Sequence, residues 1–333
     1  MGLFRITVIS LLALVAPARA EDGAPPQQCW TPEALAGGPA EIKHQPSKGP
    51  LDVAALKATP LPAAAPIEPA LRGLIESVTL PPDKKLIALT FDLCEESGYV
   101  SGYDGRIVDL LRAQGVKATF FAGGKWMETH PERAAQLIAD PLFEVGSHGM
   151  RHVDLSRASD AVIKDEVTLT EAAYARAKTN LAARQCLVGE TAPAPPERLT
   201  VFRFPYGRCN ANALAAIDDA GLLAVQWDVV TGDPDPHVSA KTIANTILTR
   251  AHPGAIIVGH ANGRGRNTAA ALALALPKLK EQGYSFVTVS ELIAAGKPVI
   301  AQRCTGPGLG KQIARASRRQ GTNDLFSFFN GHH

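Results

Sequence analysis

The sequence predicts a single α/β domain built on parallel strands, and three observations carry that expectation. From Lys85 onward, short apolar runs of strand length alternate with longer stretches of helical period. Polar residues able to do chemistry fall at the C-terminal ends of several of these strands. The chain has 333 residues and is 46% hydrophobic, enough for the core of one large domain. Strands alternating with helices imply parallel pairing under helical cover, either an α/β barrel or an open sheet.

KLIALTFD is the first strand. YDGRIVDLLRAQG follows with apolar residues at helical spacing, Asp104 as its N-cap and Gly115 as its stop. KATFFAG is a strand, HPERAAQLIAD a helix and FEVGSH a short strand. A helix spans about 159–184, and the Pro-rich loop TAPAPPERL leads into TVFRFPYG. ANALAAIDDAG is helical, LLAVQWDV a strand and SAKTIANTILTRA a helix. AIIVGH is a strand, TAAALALALPKLKEQG a helix, and FVTVSELIAAG a strand entering the last helix.

Composition marks the edges of that domain. Residues 1–20 combine Arg5, an apolar run too short to span a bilayer, and the small-residue pattern Ala18, Arg19, Ala20, which reads as a secretory signal peptide cut before Glu21. Residues 21–82 are Ala/Pro-rich and read as an N-terminal arm or linker; 83–300 form the domain; 301–333 are a basic, flexible C-terminal tail. The mature chain is therefore expected to be exported, periplasmic or secreted, with no stable membrane insertion. Loss of Arg5 and Arg19 brings the formal charge of +2 to zero, which leaves no nucleic-acid footprint. The five cysteines, Cys29, Cys94, Cys186, Cys209 and Cys304, point to disulfides in an oxidising compartment, with at least one thiol unpaired within the monomer.

Asp92, His148, Arg203, Asp228 or Asp233, and His260 all lie at or just after strand ends, and in a parallel barrel those ends form one rim, where active sites are built. SHGMRH sets His148 and His152 four apart, so a helical turn would let both rings share one cation. FRFPYG supplies the cation Arg203 beside the rigid Pro205. WDVVTGDPDP supplies carboxylates, and AIIVGHAN places His260 where an apolar strand ends. Each has a bland reading as an ion pair, a turn or a satisfied core histidine; their order and shared position favour a site.

That order, TFD, His-x-x-x-His, Arg-x-Pro-Tyr, a Trp/Asp segment and an apolar-x-His strand, resembles the five motifs of the polysaccharide deacetylase family, the NodB-homology or carbohydrate esterase family 4 domain. The resemblance covers about residues 84–298. It implies a distorted (β/α) barrel and a hydrolase that removes acetyl groups from N-acetylated sugars with one divalent metal, zinc or another first-row ion such as cobalt. By the same resemblance Asp92 matches the catalytic base, His148 and His152 the metal-binding histidines, and Arg203 the partner of the base. Tyr206 matches the residue whose backbone amide helps bind the oxyanion. His260 matches the general acid, and Asp233 the carboxylate that orients it, with Asp228 as the alternative. Val258 stands where the family has a leucine lining the acetyl pocket.

One position departs from the pattern. Where the family has a second, metal-binding aspartate this chain has Leu93, which leaves the third ligand to Asp92, Cys94, Glu95 or Glu96. Strand alternation sets Asp92 and Cys94 on one face with Leu93 turned away. A disulfide from Cys94 to Cys209, which follows PYG on the same rim, is preferred to thiolate ligation, and Cys29 is then left to pair with Cys186 or Cys304. Trp126 and Trp227 are candidate sugar-stacking residues. Loss of the metal at Leu93 would instead give a non-catalytic glycan-binding protein, and an amidase for a small amide is the remaining alternative.

Overall fold

The computed structural model describes residues 29–43, 45–46, 51–95, 99–184 and 195–301. Its strands are β1 (Gln45–Pro46), β2 (Leu74–Thr79), β3 (Leu86–Leu93), β4 (Tyr99–Val100), β5 (Ala118–Ala122) and β6 (Phe143–Ser147). They continue as β7 (Val201–Phe202), β8 (Leu223–Val225), β9 (Val229–Val230), β10 (Ile256–His260), β11 (Ser285–Phe286) and β12 (Lys297–Ala301). The first helices are α1 (Pro32–Leu35), α2 (Val53–Lys57), α3 (Gly105–Ala113), α4 (Gly124–Thr129) and α5 (Pro131–Ala139). The rest are α6 (Asp160–Ala182), α7 (Ala211–Asp219), α8 (Ala240–Arg250), α9 (Thr268–Glu281) and α10 (Val289–Ala295). The signal-peptide reading of 1–20, the tail after Ala301, Glu96, Cys186 and Cys304 fall outside the described residues.

The main sheet runs β12-β2-β8-β7-β6-β5-β3-β10-β9. Its pairs are parallel except β12 with β2, which is antiparallel. The sheet then curls back on itself: Ser77 of β2 forms a lone antiparallel bridge to Ala255, just before β10, and the Val78 N–H donates to the Gly254 carbonyl at 2.9 Å. Gly254 has φ 87°, and a Cβ there would lie 1.6 Å from the Val78 oxygen, so only glycine admits this closure. The result is the distorted (β/α) barrel that the family resemblance implies.

Alternation along β3 divides the core into two layers. Ile87, Leu89, Phe91 and Leu93 join the apolar layer between sheet and helices, while Ala88 belongs to the barrel interior. Thr90 and Asp92, in step with Ala88, meet Arg203 there. Phe121, Val225, Trp227, Ile256 and Val258 fill the same interior, with Val289, Leu292 and Ile293 of α10 packed against it. Helix starts follow the local chemistry: Asp104 caps α3 by accepting from the Arg106 N–H, and Thr288 and Glu291 form a capping box on α10.

Two expectations need correction. LLAVQWDV is two short strands, β8 and β9, broken at Gln226–Asp228. The break turns the Val225 and Gln226 carbonyls toward the Arg203 guanidinium, which bonds them at 3.4 and 3.1 Å. The outer strands β2 and β12 are absent from the sequence reading, which took the residues around β2 as arm. Residues before 83 do more than link. Trp30 and Leu35 are buried, and Arg133 on α5 clamps the segment by donating to the Ala34, Leu35 and Ala36 carbonyls and pairing with Glu41 at 2.9 Å.

Leu93 is fully buried in the layer facing the helices. Replacing it with the aspartate usual in the family should therefore bury an unpartnered carboxylate rather than supply a ligand. Leu93→Asp is expected to cost about 3 kcal/mol or more of stability, measured by urea unfolding; an unchanged midpoint would contradict this placement.

Candidate active site

The parallel register brings the predicted residues together. Asp92, the penultimate residue of β3, lies directly beside His260 at the end of β10. His148 follows β6, and Arg203 follows β7, its neighbour in the sheet. Asp92, His148, His152, Arg203 and Asp233 are all buried.

Arg203 is fully buried and each nitrogen of its guanidinium donates at least one hydrogen bond. It donates to Asp92 Oδ1 at 3.0 Å, to Thr90 Oγ1 at 2.7 Å and to the carbonyls of Val225 and Gln226. Its plane also lies over the rings of Phe121 and Trp227, with the central carbon 4.0 and 5.3 Å from their centroids. Trp227 is thus a partner of the arginine. Trp126, buried with its indole N–H on the Gly102 carbonyl, is a core residue and not a sugar platform.

On the other side of the rim, Asp233 holds His260 twice, accepting from its backbone N–H at 2.7 Å and facing its Nδ1 at 3.0 Å. Thr231 and Thr268 donate to the same carboxylate at 3.0 and 2.6 Å. Asp228 takes no part. It pairs with His252 at 2.6 Å and accepts from the Ile256 N–H at the start of β10, the opposite end of the barrel, so Asp233 is the carboxylate behind His260.

His148 and His152 meet by a route that helical spacing does not describe. Residues 148–154 are irregular, and two left-handed residues, Gly149 at φ 73° and His152 at φ 56°, fold the segment so that the ring centroids lie 5.0 Å apart. Buried Glu166 of α6 braces the turn by accepting from the Arg151 N–H and side chain at 2.8 and 2.7 Å. Tyr206, also left-handed at φ 59°, packs its ring against His152 at a tilt of 59°, the centroids 4.4 Å apart. The His148 Nδ1 faces the Arg203 carbonyl at 2.9 Å, which leaves Nε2 directed at the site, 3.6 Å from Asp92 Oδ2.

The sulfur chemistry differs from the expectation. Cys209 is disulfide-bonded whereas Cys94 carries a thiol, so the bridge between the two is not made. Instead Cys94 joins the histidines: one ligand atom from each of Cys94, His148 and His152 lies within 4.8 Å of the others, and all three residues are buried. Glu95, by contrast, is turned to the Thr129 hydroxyl and to Lys125 Nζ at 3.4 Å.

A family model described as polysaccharide deacetylase matches residues 79–225. A peptidoglycan-N-acetylglucosamine deacetylase of Bacillus cereus is 31% identical over 217 residues, spanning 64% of this chain and 91% of its own. The chain belongs to the polysaccharide deacetylase family. Among solved structures, a peptidoglycan N-acetylglucosamine deacetylase superposes with a TM-score of 0.54 at 27% identity, covering 67% of this chain and 94% of that one. A pseudoenzyme of carbohydrate esterase family 4 from Bacillus anthracis also superposes with a TM-score of 0.54, at 26% identity over 67% of this chain and 69% of its own. Polysaccharide deacetylases generally depend on a divalent metal, and here the Cys94, His148 and His152 donors could hold one.

At this site the surroundings push the titratable groups apart. Burial raises the Asp92 carboxyl, but His148 and Arg203 outweigh it and hold it below the usual carboxylate range. Burial lowers His148 and, more strongly, His152, which favours the neutral imidazole that a metal needs. His260 goes the other way, because Asp233 outweighs burial and raises it. Thr90, Thr231, Thr268 and Asn262 were missed from sequence; Thr90, two before Asp92 on one strand face, was the one that alternation could have found.

Since Asp233 contributes most to lifting His260, Asp233→Asn leaves only Asp92 to oppose burial. The His260 ring is expected to titrate below its wild-type pKa, followed by NMR of the imidazole protons; an unmoved titration would remove Asp233 from this role.

Proposed function

We propose that this chain is an exported, metal-dependent hydrolase that removes N-acetyl groups from an N-acetylated cell-wall or extracellular glycan, with N-acetylglucosamine polymers as the first candidates. The observation that carries the reading is the facing of two charge pairs, Asp92 with Arg203 and His260 with Asp233, at adjacent strand ends beside two buried histidines. Relatives named as peptidoglycan-N-acetylglucosamine and peptidoglycan-N-acetylmuramic acid deacetylases support the substrate class, and the N-terminal 20 residues support export.

A divalent ion held by His148 and His152, zinc being the first choice, would supply a Lewis acid for the acetyl carbonyl and a water of lowered pKa. The protein's own groups do the proton work. Asp92, kept ionised by Arg203, takes a proton from the attacking water, whose oxygen bonds to the carbonyl carbon. The Tyr206 backbone N–H helps bind the developing oxyanion. His260, held protonated by Asp233, gives its proton to the nitrogen as the C–N bond breaks, so that acetate and a free amine leave. Val258, buried in the barrel interior, is the candidate wall for the acetyl methyl.

Acetate release from N-acetylglucosamine oligomers and peptidoglycan tests this directly. The metal-stripped protein should regain release on adding zinc or cobalt, and Asp92→Asn should lower kcat/KM by about 10²–10⁴-fold. Because a raised His260 keeps its proton to higher pH, the alkaline limb of kcat/KM should lie above the ordinary imidazole range and move down in Asp233→Asn. Metal-loaded protein that releases no acetate from any of these glycans overturns the proposal in favour of a glycan-binding role.

A further inference from the structure

Leu93 cannot ligate, which leaves open what completes the metal site. We propose that the thiolate of Cys94 is the third protein ligand, so that this chain carries a Cys-His-His site where its family has two histidines and an aspartate; the inference rests on the metal-dependent reading above. Replacing a carboxylate by a thiolate preserves the ligand charge but changes its softness, which favours zinc and cobalt over magnesium or manganese.

Four observations converge on Cys94. It follows Asp92 by two residues at the end of β3, so the strand turns both into the site while Leu93 enters the helical layer. Its sulfur belongs to the buried group of three donors. His148 is already oriented as a ligand: a proton on its Nδ1 would be donated to the Arg203 carbonyl at 2.9 Å, leaving the Nε2 lone pair for an ion. His152 is over nine-tenths buried, yet its Nδ1 lacks a hydrogen-bond partner among the described residues, and its backbone holds the left-handed conformation. A buried ring nitrogen without a protein partner, beside a sulfur and a second imidazole, has the surroundings of a metal ligand.

Asn262 points to a thiolate as well. It is buried, and its Nδ2 donates both to the Cys94 carbonyl at 3.0 Å and to Cys94 Sγ at 3.2 Å. The Arg264 N–H donates to Asn262 Oδ1 at 3.2 Å, which fixes the amide with its NH₂ toward the sulfur. Asn262 is therefore a positioning residue that stabilises negative charge on sulfur and draws some of its density away from the ion. On loading, the thiol proton leaves to solvent and the sulfur lone pair forms the metal bond.

Cobalt(II) reports the ligand set without any turnover. The cobalt-loaded full-length protein should show a sulfur-to-cobalt charge-transfer band in the near ultraviolet, absent in Cys94→Ser and Cys94→Asp. Cys94→Asp should still bind cobalt through a carboxylate, with circular dichroism confirming its fold. Cys94→Ala should weaken zinc by more than about 100-fold, beyond the roughly 10–100-fold range for losing an outer partner. Asn262→Ala should keep the band but move it to lower energy, which a merely structural role would not do. Stoichiometric cobalt without the band overturns Cys94 as ligand and leaves the deacetylase reading standing. A band without acetate release supports the ligand and overturns the deacetylase, while absence of bound metal overturns both.

Discussion

A positive charge at the centre of the barrel is the constraint around which the rest of the site is arranged. Arg203 has no exposure to solvent, and an unpaired guanidinium there would cost several kcal/mol. The structure spends a carboxylate, a hydroxyl, two carbonyls and two aromatic faces on it. Those commitments shape their surroundings: the break between β8 and β9 supplies the carbonyls, and Asp92 is fixed in one orientation and kept ionised. The His148 ring is set by the arginine's own backbone oxygen. One buried cation thereby positions Asp92, the His148 imidazole and the gap in the sheet.

The same low-dielectric interior gives three histidines different characters. His148 and His152 lose proton affinity to burial, while His260, partly buried, gains it from Asp233. The difference lies in the partners: Asp233 bonds the His260 ring directly and outweighs burial, whereas Asp92, 3.6 Å from His148, does not outweigh the burial of that ring. At the adjoining corner, two neighbouring residues have exchanged duties. Leu93 completes the packing under the helices, and the next side chain, Cys94, faces the histidines with Asn262 against its sulfur.

Most of the framework was legible in sequence because apolar periodicity reports burial directly: β3, β5, β6, β10 and the helices α3, α5, α6, α7, α8 and α9 fall where the spacing puts them. Strand ends carrying isolated polar residues marked the rim for the same reason, since a polar side chain after an apolar strand needs a partner. The failures came from interactions that have no period. β2 and β12 are half-covered outer strands in a Pro-rich context, and the convergence of His148 with His152 depends on left-handed backbone rather than on a helix. The choice between Asp228 and Asp233 turned on which end of β10 each one meets, a fact of tertiary register. The fate of Cys94 depended on which thiols approach one another, which spacing does not encode.

The antiparallel pairing of β2 with β12 joins Leu74 to Ala301, so the first and last strands of the barrel lie side by side. Contacts that span nearly the whole domain sequence are the slowest to form, because the chain must surrender loop entropy before the pairing returns any stability. During synthesis the remaining strands can align from the middle outward, but β2 must wait with an uncovered edge until β12 emerges. Truncation within β12 would thus leave that edge exposed for good, a template for pairing with other chains.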